Sequence, residues 1–481
     1  MELPRWGAAR CRIMIEGLKP YAESGKLKPV TRTSQINIPW LTQLPAHWKV
    51  VRSKGLFMAR TERARQDDEQ LSATQAYGVI PQKEFERRVG RKVVQITQHL
   101  DKRAHVEPDD FVISMRSFQG GLERAWARGC IRSSYVVLRP SHEAQVGYFA
   151  HLFKSQDYIR ALQATGNFIR DGQDLNYSNF SLVDLPLPPT DEQIAIARCL
   201  DHANRKIDRF ISVKRKLIGL LNEQKQAIIH RAVTRGLDPN VALKPSGIAW
   251  LGDIPAHWEV LPARFLFRPV TRRDIQKGDP KMSVTQRLGL VPTDEMEENS
   301  TQARSFDHFQ VCYPQDLVLN KYKAHLGVFC CAFQRGLITP NYTVFRPTRK
   351  LYTYFFDILF HTTMYRNEFS MIVHGVTAGM SPLYTQDFNR VPVVFPPHEE
   401  QKAILEGIDL ITKPQNTAIT RTEREIALMQ EYRTRLTSDI VTGKLDVREA
   451  AANLPELGDD AATEPDVPVE FEELEAEEAD E

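Results

Sequence analysis

Cysteine is scarce in this chain, and none of it has metal-binding spacing. The 481 residues hold six cysteines, at Cys11, Cys130, Cys199, Cys312, Cys330 and Cys331, and no two form a Cys-x-x-Cys pair. Zinc ribbons and disulfide-stapled domains depend on such pairs or frameworks, so both classes are excluded. Few and unpaired cysteines are typical of a reducing compartment, and we predict a cytoplasmic protein.

Long hydrophobic runs are missing too. No window approaches the roughly twenty apolar residues that a membrane span needs, and residues 1–20 lack the apolar core of a secretory signal. The composition is 42% hydrophobic and 26% charged, as in a globular protein that folds in water. A chain of this length exceeds one ordinary core and predicts about two to four domains.

Motifs for chemistry on DNA are absent as well. An amino-methyltransferase would need a (D/N/S)-P-P-(Y/F/W) loop, but the Pro-Pro pairs at 188–189 and 396–397 lack its polar and aromatic flanks. There is no glycine-rich cofactor loop and no GxxxxGK(S/T). A nuclease motif could begin at Asp109, Asp110 or Asp316, but no carboxylate–x–Lys pair follows to hold a metal. We interpret these aspartates as turn residues before strands, and we predict no catalytic residue and no metal site.

The last part of the chain has no positive charge. Residues 449–481 contain fourteen Asp or Glu and no Lys or Arg. Residues 1–448 carry 63 basic and 47 acidic side chains, a net charge of +16, although the whole chain has only +2. The basic body suggests a polyanionic partner such as nucleic acid. The polyanionic end, poor in aromatic residues, predicts a disordered acidic tail.

The two halves of the chain repeat each other at a spacing of about 206–211 residues. The collinear matches are 38–48 with 248–258, 72–81 with 283–292, 110–113 with 316–319, 188–193 with 396–401, and 233–238 with 441–446. Each copy is therefore a globular part followed by a helix. Between the matches the copies diverge, as 83–103 does from 294–310, which is the pattern expected of one scaffold that reads two different targets.

Each globular part alternates short β-rich runs with turns. Strands are predicted at 111–115, 134–138, 317–320 and 342–345, and helical segments at 148–161 and 352–369. Each part is therefore predicted to be a mixed α+β domain.

A long segment with apolar residues at seven-residue spacing follows each globular part, at 191–235 and 398–441. We predict two helices of about 44 residues, or roughly 66 Å, whose stripes pack on each other. The predicted seam residues are Leu200, Ile207, Phe210, Leu217, Leu221, Ile228, Ile404, Ile408, Ile411, Met429 and Leu436. Polar Lys214 and Gln415 interrupt the seam and help to set its register. The alternative, that each helix lies on its own domain, stays open.

These motifs resemble the specificity subunit of a type I restriction–modification system, from about residue 21 to 446. The resemblance rests on W-L-x-x-(L/I)-P-x-H-W-x-V at 40–50 and 250–260, on Pro-Pro-x-x-Glu-Gln at the start of each long helix, and on Val-Thr-x-x-Leu-Asp at its end. It implies an α+β fold with two target-recognition domains in a pseudo-two-fold arrangement, joined by two long antiparallel coiled-coil helices.

The resemblance also implies a function and partners. The family's specificity subunit is not itself a catalyst and reads a bipartite asymmetric sequence in double-stranded DNA, one domain for each half. It docks two modification subunits, which carry S-adenosylmethionine and methylate adenine, and two restriction subunits that use ATP and Mg can join. No cofactor is then expected on this chain. A coiled-coil adaptor that does not read DNA is the alternative from another class.

The repeat and the resemblance together predict six segments. They are an N-terminal extension and lead-in at 1–44, a first target-recognition domain at 45–189, a central helix at 190–240, a second domain at 241–397, a distal helix at 398–448 and the disordered tail at 449–481. Within the lead-in, residues 26–37 are predicted to be an insertion.

Reading DNA requires Arg, Lys, Asn or Gln at base edges and cations at phosphates. Such groups are expected where the copies diverge and where polar loops follow strands. Candidates in the first domain are Arg87, Arg88, Arg91, Lys92, Arg116, Ser117, Gln119, Arg170 and Gln173. Candidates in the second domain are Arg272, Arg273, Lys277, Lys321, Tyr322, Lys323, His325, His374 and Thr377. His47 and His257 each precede a Trp without other metal ligands nearby, so a packing role is predicted for both.

Overall fold

The chain forms two units, each containing one copy of the repeated domain. The computed structural model describes residues 18–25, 27–29, 40–90, 92–93, 102–114, 117–166, 176–285, 289–293, 308–373 and 382–455. Unit 1 comprises Met1–Lys216 with Thr422–Glu481, and unit 2 comprises Leu217–Arg421. No helix in the described ranges is long and apolar enough to cross a membrane.

A four-stranded antiparallel sheet lies at the centre of unit 1. Its strand order is Glu123–Arg124, Phe111–Ile113, Val136–Pro140, Phe57–Ala59. All three residues of Phe111–Ile113 are buried, which explains why this run is apolar without alternation. The further antiparallel pairs are Lys19–Pro20 with Leu445–Asp446, Leu27–Pro29 with Gln43–Pro45, Lys49–Arg52 with Asp184–Leu187, Leu71–Thr74 with Gly78–Pro81, and Ala104–Val106 with Gly129–Ile131.

Unit 2 repeats this topology. Its four-stranded sheet has the order Phe267–Val270, Tyr342–Pro347, Leu317–Asn320, Phe329–Cys331, and the central Leu317–Asn320 is buried throughout. Its antiparallel pairs are Leu243–Pro245 with Asp253–Pro255, Glu259–Pro262 with Pro392–Phe395, Met282–Thr285 with Gly289–Pro292, and Gln310–Cys312 with Gly336–Ile338. The predicted strands in both copies are confirmed, with ends that differ by a few residues.

Short helices accompany the strands in each unit. In unit 1 they are Tyr21–Ser24, Ser53–Leu56, Gln82–Val89, Ser117–Gly120, Val146–Phe153, Gln156–Gln163, Tyr177–Ser181 and Arg448–Ala452. In unit 2 they are Thr353–Phe360, Thr363–Ile372 and Thr385–Phe388, with 3-10 helices at Ala263–Phe265 and Lys321–Leu326.

Aromatic side chains fill the core between sheet and helices. In unit 1, Phe57 meets Phe149 edge-on at a centroid distance of 5.0 Å, and Phe111 meets Phe153 at the same distance. In unit 2, Phe329 lies 4.9 Å from Phe360. Rings of this kind bury large apolar areas in specific geometries, so they set the position of the helices on the sheet.

Each predicted helical segment of the domains is two helices instead of one. In unit 1 the break falls at Ser155, whose hydroxyl donates to Leu152 O at 2.7 Å and accepts from Tyr158 N at 3.4 Å. In unit 2 the hydroxyl of Thr362 donates to Leu359 O at 2.7 Å at the equivalent place. Hydroxyl side chains that bond the preceding turn compete with the helix ladder and favour a new helix start.

The two long helices predicted from the seven-residue spacing are present. They run over Thr190–Arg235 and His398–Val441, and the second continues through Pro414. Gly236 follows the first helix with φ of 76°, the left-handed conformation expected of a glycine at a helix end.

Two boundaries differ from the prediction. Residues 26–37 are not wholly an insertion, because Leu27–Pro29 pairs with Gln43–Pro45 as Leu243–Pro245 pairs with Asp253–Pro255 in the second copy. The tail does not begin at 449 either, because Arg448–Ala452 is a helix. Its apolar Ala450 is buried in the core of unit 1, which local charge counting could not reveal.

Candidate nucleic-acid interface

A buried aspartate precedes the central strand of each sheet and pairs with an arginine. In unit 1, Arg60 Nε donates to Asp110 Oδ2 at 2.8 Å and Arg60 Nη2 donates to Asp110 Oδ1 at 3.0 Å. In unit 2, Arg272 binds both oxygens of Asp316, with Nη2 to Oδ1 at 3.3 Å. Burial raises the pKa of Asp110 despite this pairing. The aspartates therefore fix the chain before the strand, in agreement with their interpretation as turn residues.

Arg272 is thus engaged inside its domain and is not an exposed DNA contact as predicted. Its guanidinium also lies over the Tyr313 ring, 4.8 Å from the centroid. The sequence could not reveal this, because the partner Asp316 is 44 residues away. The other two members of that predicted cluster, Arg273 and Lys277, are exposed, and none of the described residues forms an ion pair with either.

In unit 1 a short polar helix, Ser117–Gly120, follows the central strand. Ser117 is fully buried and its hydroxyl accepts from Ser114 N at 2.9 Å, so it cannot reach a base as predicted. Gln119 is exposed. Gln163 Nε2 donates to Phe118 O at 2.6 Å, which places this helix beside the chain that leads into the predicted turn at 167–173.

In unit 2 the 3-10 helix Lys321–Leu326 occupies the equivalent place after the strand. Asn320 caps it by accepting from Tyr322 N at 3.2 Å. Lys321 is held to the domain, with Nζ donating to Pro340 O at 3.4 Å and its carbonyl accepting from Leu383 N at 2.9 Å. Tyr322 and Lys323 are exposed. Leu383 lies six residues after Thr377, and the predicted turn itself at 374–377 lies outside the described residues.

The arginine-rich segment of the first domain lies on helix Gln82–Val89. Arg88 pairs with Glu84 at 2.5 Å and lies 5.0 Å from the centroid of the Tyr77 ring, so it is partly engaged within the domain. Arg87 and Lys92 are exposed. The helix therefore offers cations to solvent at its C-terminal end.

Several predicted contacts lie outside the described residues. They are Arg91, Arg116, Arg170, Gln173, His374 and Thr377. His325 lies within the helix Lys321–Leu326, and nothing of its side chain is described.

The two histidines of the repeated motif pair with the glutamate at the start of each long helix. His47 Nε2 lies 2.7 Å from Glu192 Oε2, and the Trp48 indole N–H donates to the same oxygen at 3.1 Å. In unit 2, His257 Nε2 lies 2.7 Å from Glu400 Oε2. Burial raises the pKa of Glu192 to about 7. Besides the predicted packing role, each histidine therefore makes a hydrogen bond that joins its domain to the start of the long helix.

The glutamine of the same motif ties the helix start to the domain in both copies. Gln193 Oε1 accepts from Gln145 N at 2.9 Å, and its Nε2 donates to Pro188 O at 2.9 Å. Gln401 makes the same two bonds to Tyr352 N and Pro396 O, both at 2.9 Å. The Pro-Pro-x-x-Glu-Gln motif is thus a structural joint. Among the described residues no group of three His, Cys, Asp or Glu is arranged to hold a metal ion.

The duplicated architecture has relatives among known proteins. No family model matches the chain. It is 23% identical over 406 residues to the type I restriction enzyme EcoKI specificity subunit of Escherichia coli (strain K12), over 76% of this chain and 84% of the relative. It is 25% identical over 239 residues to the MjaVIII specificity subunit of Methanocaldococcus jannaschii, over 49% of this chain and 51% of the relative. The chain is therefore similar to type I restriction enzyme specificity subunits over most of its length.

A solved structure agrees with the fold of this chain. The structure comes from work on complex assembly and conformational transition of the type I R-M system and matches with a TM-score of 0.56 at 13% identity. It covers 83% of this chain and 99% of the other. The recognition made from the sequence and the mixed helix-and-strand class are confirmed.

Within each unit of the chain, segments of the two long helices pack together. In unit 1, Leu200 shares a core with Leu436, and Ile207 shares a smaller cluster with Met429 and partly buried Phe210. Lys214 Nζ lies 2.6 Å from Glu425 Oε2. In unit 2 the buried helix residues are Ala232, Val233, Ile404 and Ile408. Of the other predicted seam residues, Leu221 and Ile228 are half-buried, whereas Leu217 and Ile411 are exposed.

One pair of exposed aromatic residues escaped the sequence analysis. Trp126 follows the edge strand of the sheet in unit 1 and is 58% exposed. Phe333 follows the edge strand in unit 2 and is 64% exposed. Trp126 stacks on Arg124 at 4.2 Å, and Phe333 lies 5.3 Å from Tyr354. The sequence does contain a signal for this pair. Both copies have an Ala-aromatic dipeptide, at 125–126 and 332–333, at nearly the same distance after the matched aspartates Asp110 and Asp316.

Proposed function

We propose that this chain is a specificity subunit that reads a bipartite, asymmetric sequence in double-stranded DNA, with one domain for each half. The observation that carries this proposal is the scaffold itself, which occurs twice with the same strand order and the same Arg–Asp pair. The segment after the central strand differs, since it exposes Gln119 in one copy and Lys323 in the other. Glutamine suits adenine edges, whereas lysine suits guanine or phosphate.

The long helices are proposed to form one antiparallel pair that relates the domains by a rotation of about 180°. Duplex DNA has a local two-fold symmetry of the same kind, so each domain could face one half of a split site. The contacts within unit 1 support this arrangement. Going along the first helix from Leu200 to Ile207 and Lys214, the partners on the second run backwards, from Leu436 to Met429 and Glu425.

Exposed apolar side chains on the long helices support a docking role. Val213, Leu217, Leu220, Leu410 and Leu428 expose between 39% and 73% of their surface. Contiguous exposed apolar patches mark protein-binding surfaces, and these side chains are the candidates for one on the long helices. We propose that two modification subunits bind here. They would carry S-adenosylmethionine for adenine methylation, and restriction subunits with ATP and Mg would join the same assembly.

Half-site substitutions test this proposal. The full-length chain with its modification subunits would carry Gln119→Ala or Lys323→Ala, and host methylome sequencing and gel shifts would be the readouts. Each substitution should relax the methylated sequence in only one half, because a lost base contact costs about 1–3 kcal/mol. Lys54→Ala, an exposed lysine of unit 1, is the matched control. Relaxation of both halves by one substitution, or of neither by both, would contradict the assignment of one domain to each half.

A further inference from the structure

The first long helix carries a row of cations opposite its buried face. Arg198, Arg205, Arg209 and Lys216, here called the cationic row, recur at spacings of seven, four and seven residues. At 3.6 residues per turn they fall within about 20° of one line along the helix. The buried Ile207 lies on the opposite side, about 180° away on the same count. The row therefore faces away from the packed seam.

Acidic residues on this part of the helix do not neutralise the row. Asp201 pairs with His151 at 2.8 Å, and Asp208 pairs with Arg433 of the second long helix. The last three cations of the row are exposed, and no ion pair joins them to any residue of the described ranges. Beside them, burial and then the nearby cations, Lys206 first, lower the pKa of His202. Positive charge is thus concentrated on one exposed strip.

The acidic end of the chain starts on this strip. Arg198 Nη2 donates to Leu454 O at 2.6 Å and to Pro455 O at 3.1 Å. The preceding helix Arg448–Ala452 is anchored in the core of unit 1. Residues 456–481 continue directly from Pro455 and contain thirteen Asp or Glu and no Lys or Arg.

We propose that residues 456–481 bind along the cationic row of their own chain. The row spans 18 residues of helix, about 27 Å, which an extended chain covers with roughly eight or nine residues. The 26 residues of the tail therefore reach its far end with length to spare. Because the tail starts at Arg198, its carboxylates are held near the row at a high effective concentration. A tail bound here keeps DNA phosphates off this part of the helix.

Cross-linking in the full-length chain tests the proposal. Arg205→Lys with Arg209→Lys keeps the charge and brings two reactive amines to the row, and a carbodiimide joins amines to carboxylates in contact. Arg139→Lys with Arg160→Lys is the matched control, because both arginines are exposed in unit 1 and lie on other elements, a strand and a short helix. Mass spectrometry should find tail cross-links at lysines 205 and 209 several-fold more often than at 139 and 160. These links should fade near 1 M salt, where the screening length falls to about 3 Å.

Mixing heavy-isotope and light chains separates links within a chain from links between chains. Adding Arg198→Gln and Lys216→Gln to the variant with lysines at 205 and 209 should lower the yield, because half of the row's charge is removed. Three outcomes would overturn the proposal. They are equal cross-link yields at the row and control lysines, cross-links only between chains, and a yield that these two substitutions leave unchanged. Circular dichroism of each variant checks that the helices remain folded.

Discussion

Replacing Arg272 by alanine separates a structural role from a DNA-binding one. The sequence places this arginine in a basic cluster, whereas the structure pairs it with Asp316, whose side chain is only 3% exposed. Arg272→Ala would leave that carboxylate buried without its cation. We therefore expect the substitution to destabilise unit 2 and not merely to weaken DNA binding.

The size of the effect follows from burial. Breaking a buried ion pair costs about 3–5 kcal/mol. The Arg272 side chain is 22% exposed, so solvent screens part of the ion-pair energy. We therefore expect a loss of about 2–3 kcal/mol in the free energy of unfolding. In a unit of about 200 residues each kcal/mol lowers the Tm by about 2–4 °C, so the Tm should fall by roughly 4–12 °C.

The neighbouring arginine provides the control. Calorimetry and gel shifts on the full-length chain would compare Arg272→Ala with Arg273→Ala, which removes an exposed charge and should change stability by no more than about 0.5 kcal/mol. Arg60→Ala should reproduce the large effect in unit 1. An unchanged Tm together with weakened DNA binding in Arg272→Ala would refute the structural assignment and restore the prediction made from the sequence.

Three further substitutions test the scaffold. Glu192 has a pKa of about 7 in the folded chain, above its ordinary 4.5, so the folded state keeps a proton that the unfolded state loses between these values. The stability that this group contributes, up to about 3 kcal/mol, is complete below about pH 4.5 and is lost by about pH 7. Glu192→Gln should therefore flatten the fall in Tm between pH 5 and pH 7. Parallel curves of Tm against pH for the two proteins would contradict this. Gly121 has a φ of 78°, and a Cβ at this position would lie 1.9 Å from Phe153 O. Gly121→Ala should therefore prevent unit 1 from folding natively. A Tm equal to that of the unsubstituted chain would contradict this. Gly219→Ala, in an open helical position, should stabilise the chain by about 0.5–1 kcal/mol in thermal unfolding, whereas a lower Tm would contradict the open position.

The elements that the sequence predicts well are those with a local cause. The strands Phe111–Ile113 and Leu317–Asn320 are short apolar runs bounded by turn residues, and the long helix Thr190–Arg235 has a sustained period without proline. The break at Ser155 was missed, because a hydroxyl that starts a new helix is read as an ordinary polar residue within an amphipathic pattern. The helix Arg448–Ala452 was missed because its burial depends on contacts with residues far away in the chain.

The candidate interface is predicted less well, since exposure depends on tertiary partners. Ser117 and Arg272 have the right chemistry for DNA and yet are engaged within the domain. Gln119 and Lys323 are exposed as predicted, and their contact with DNA stays a prediction. The internal repeat helps to recognise such engaged residues. Both copies have an arginine and an aspartate at matched places, which indicates a shared structural pair.

The short central strand of each domain separates the buried ion pair from the segment that is proposed to read DNA. The Arg–Asp pair lies before the strand and the divergent polar helix lies after it, so three or four residues, about 10–13 Å, stand between them. A substitution in the polar helix therefore leaves the ion pair untouched. New sequence preferences can arise at one end of this strand while the other end keeps the domain folded, which lets such a scaffold diversify without passing through unstable intermediates.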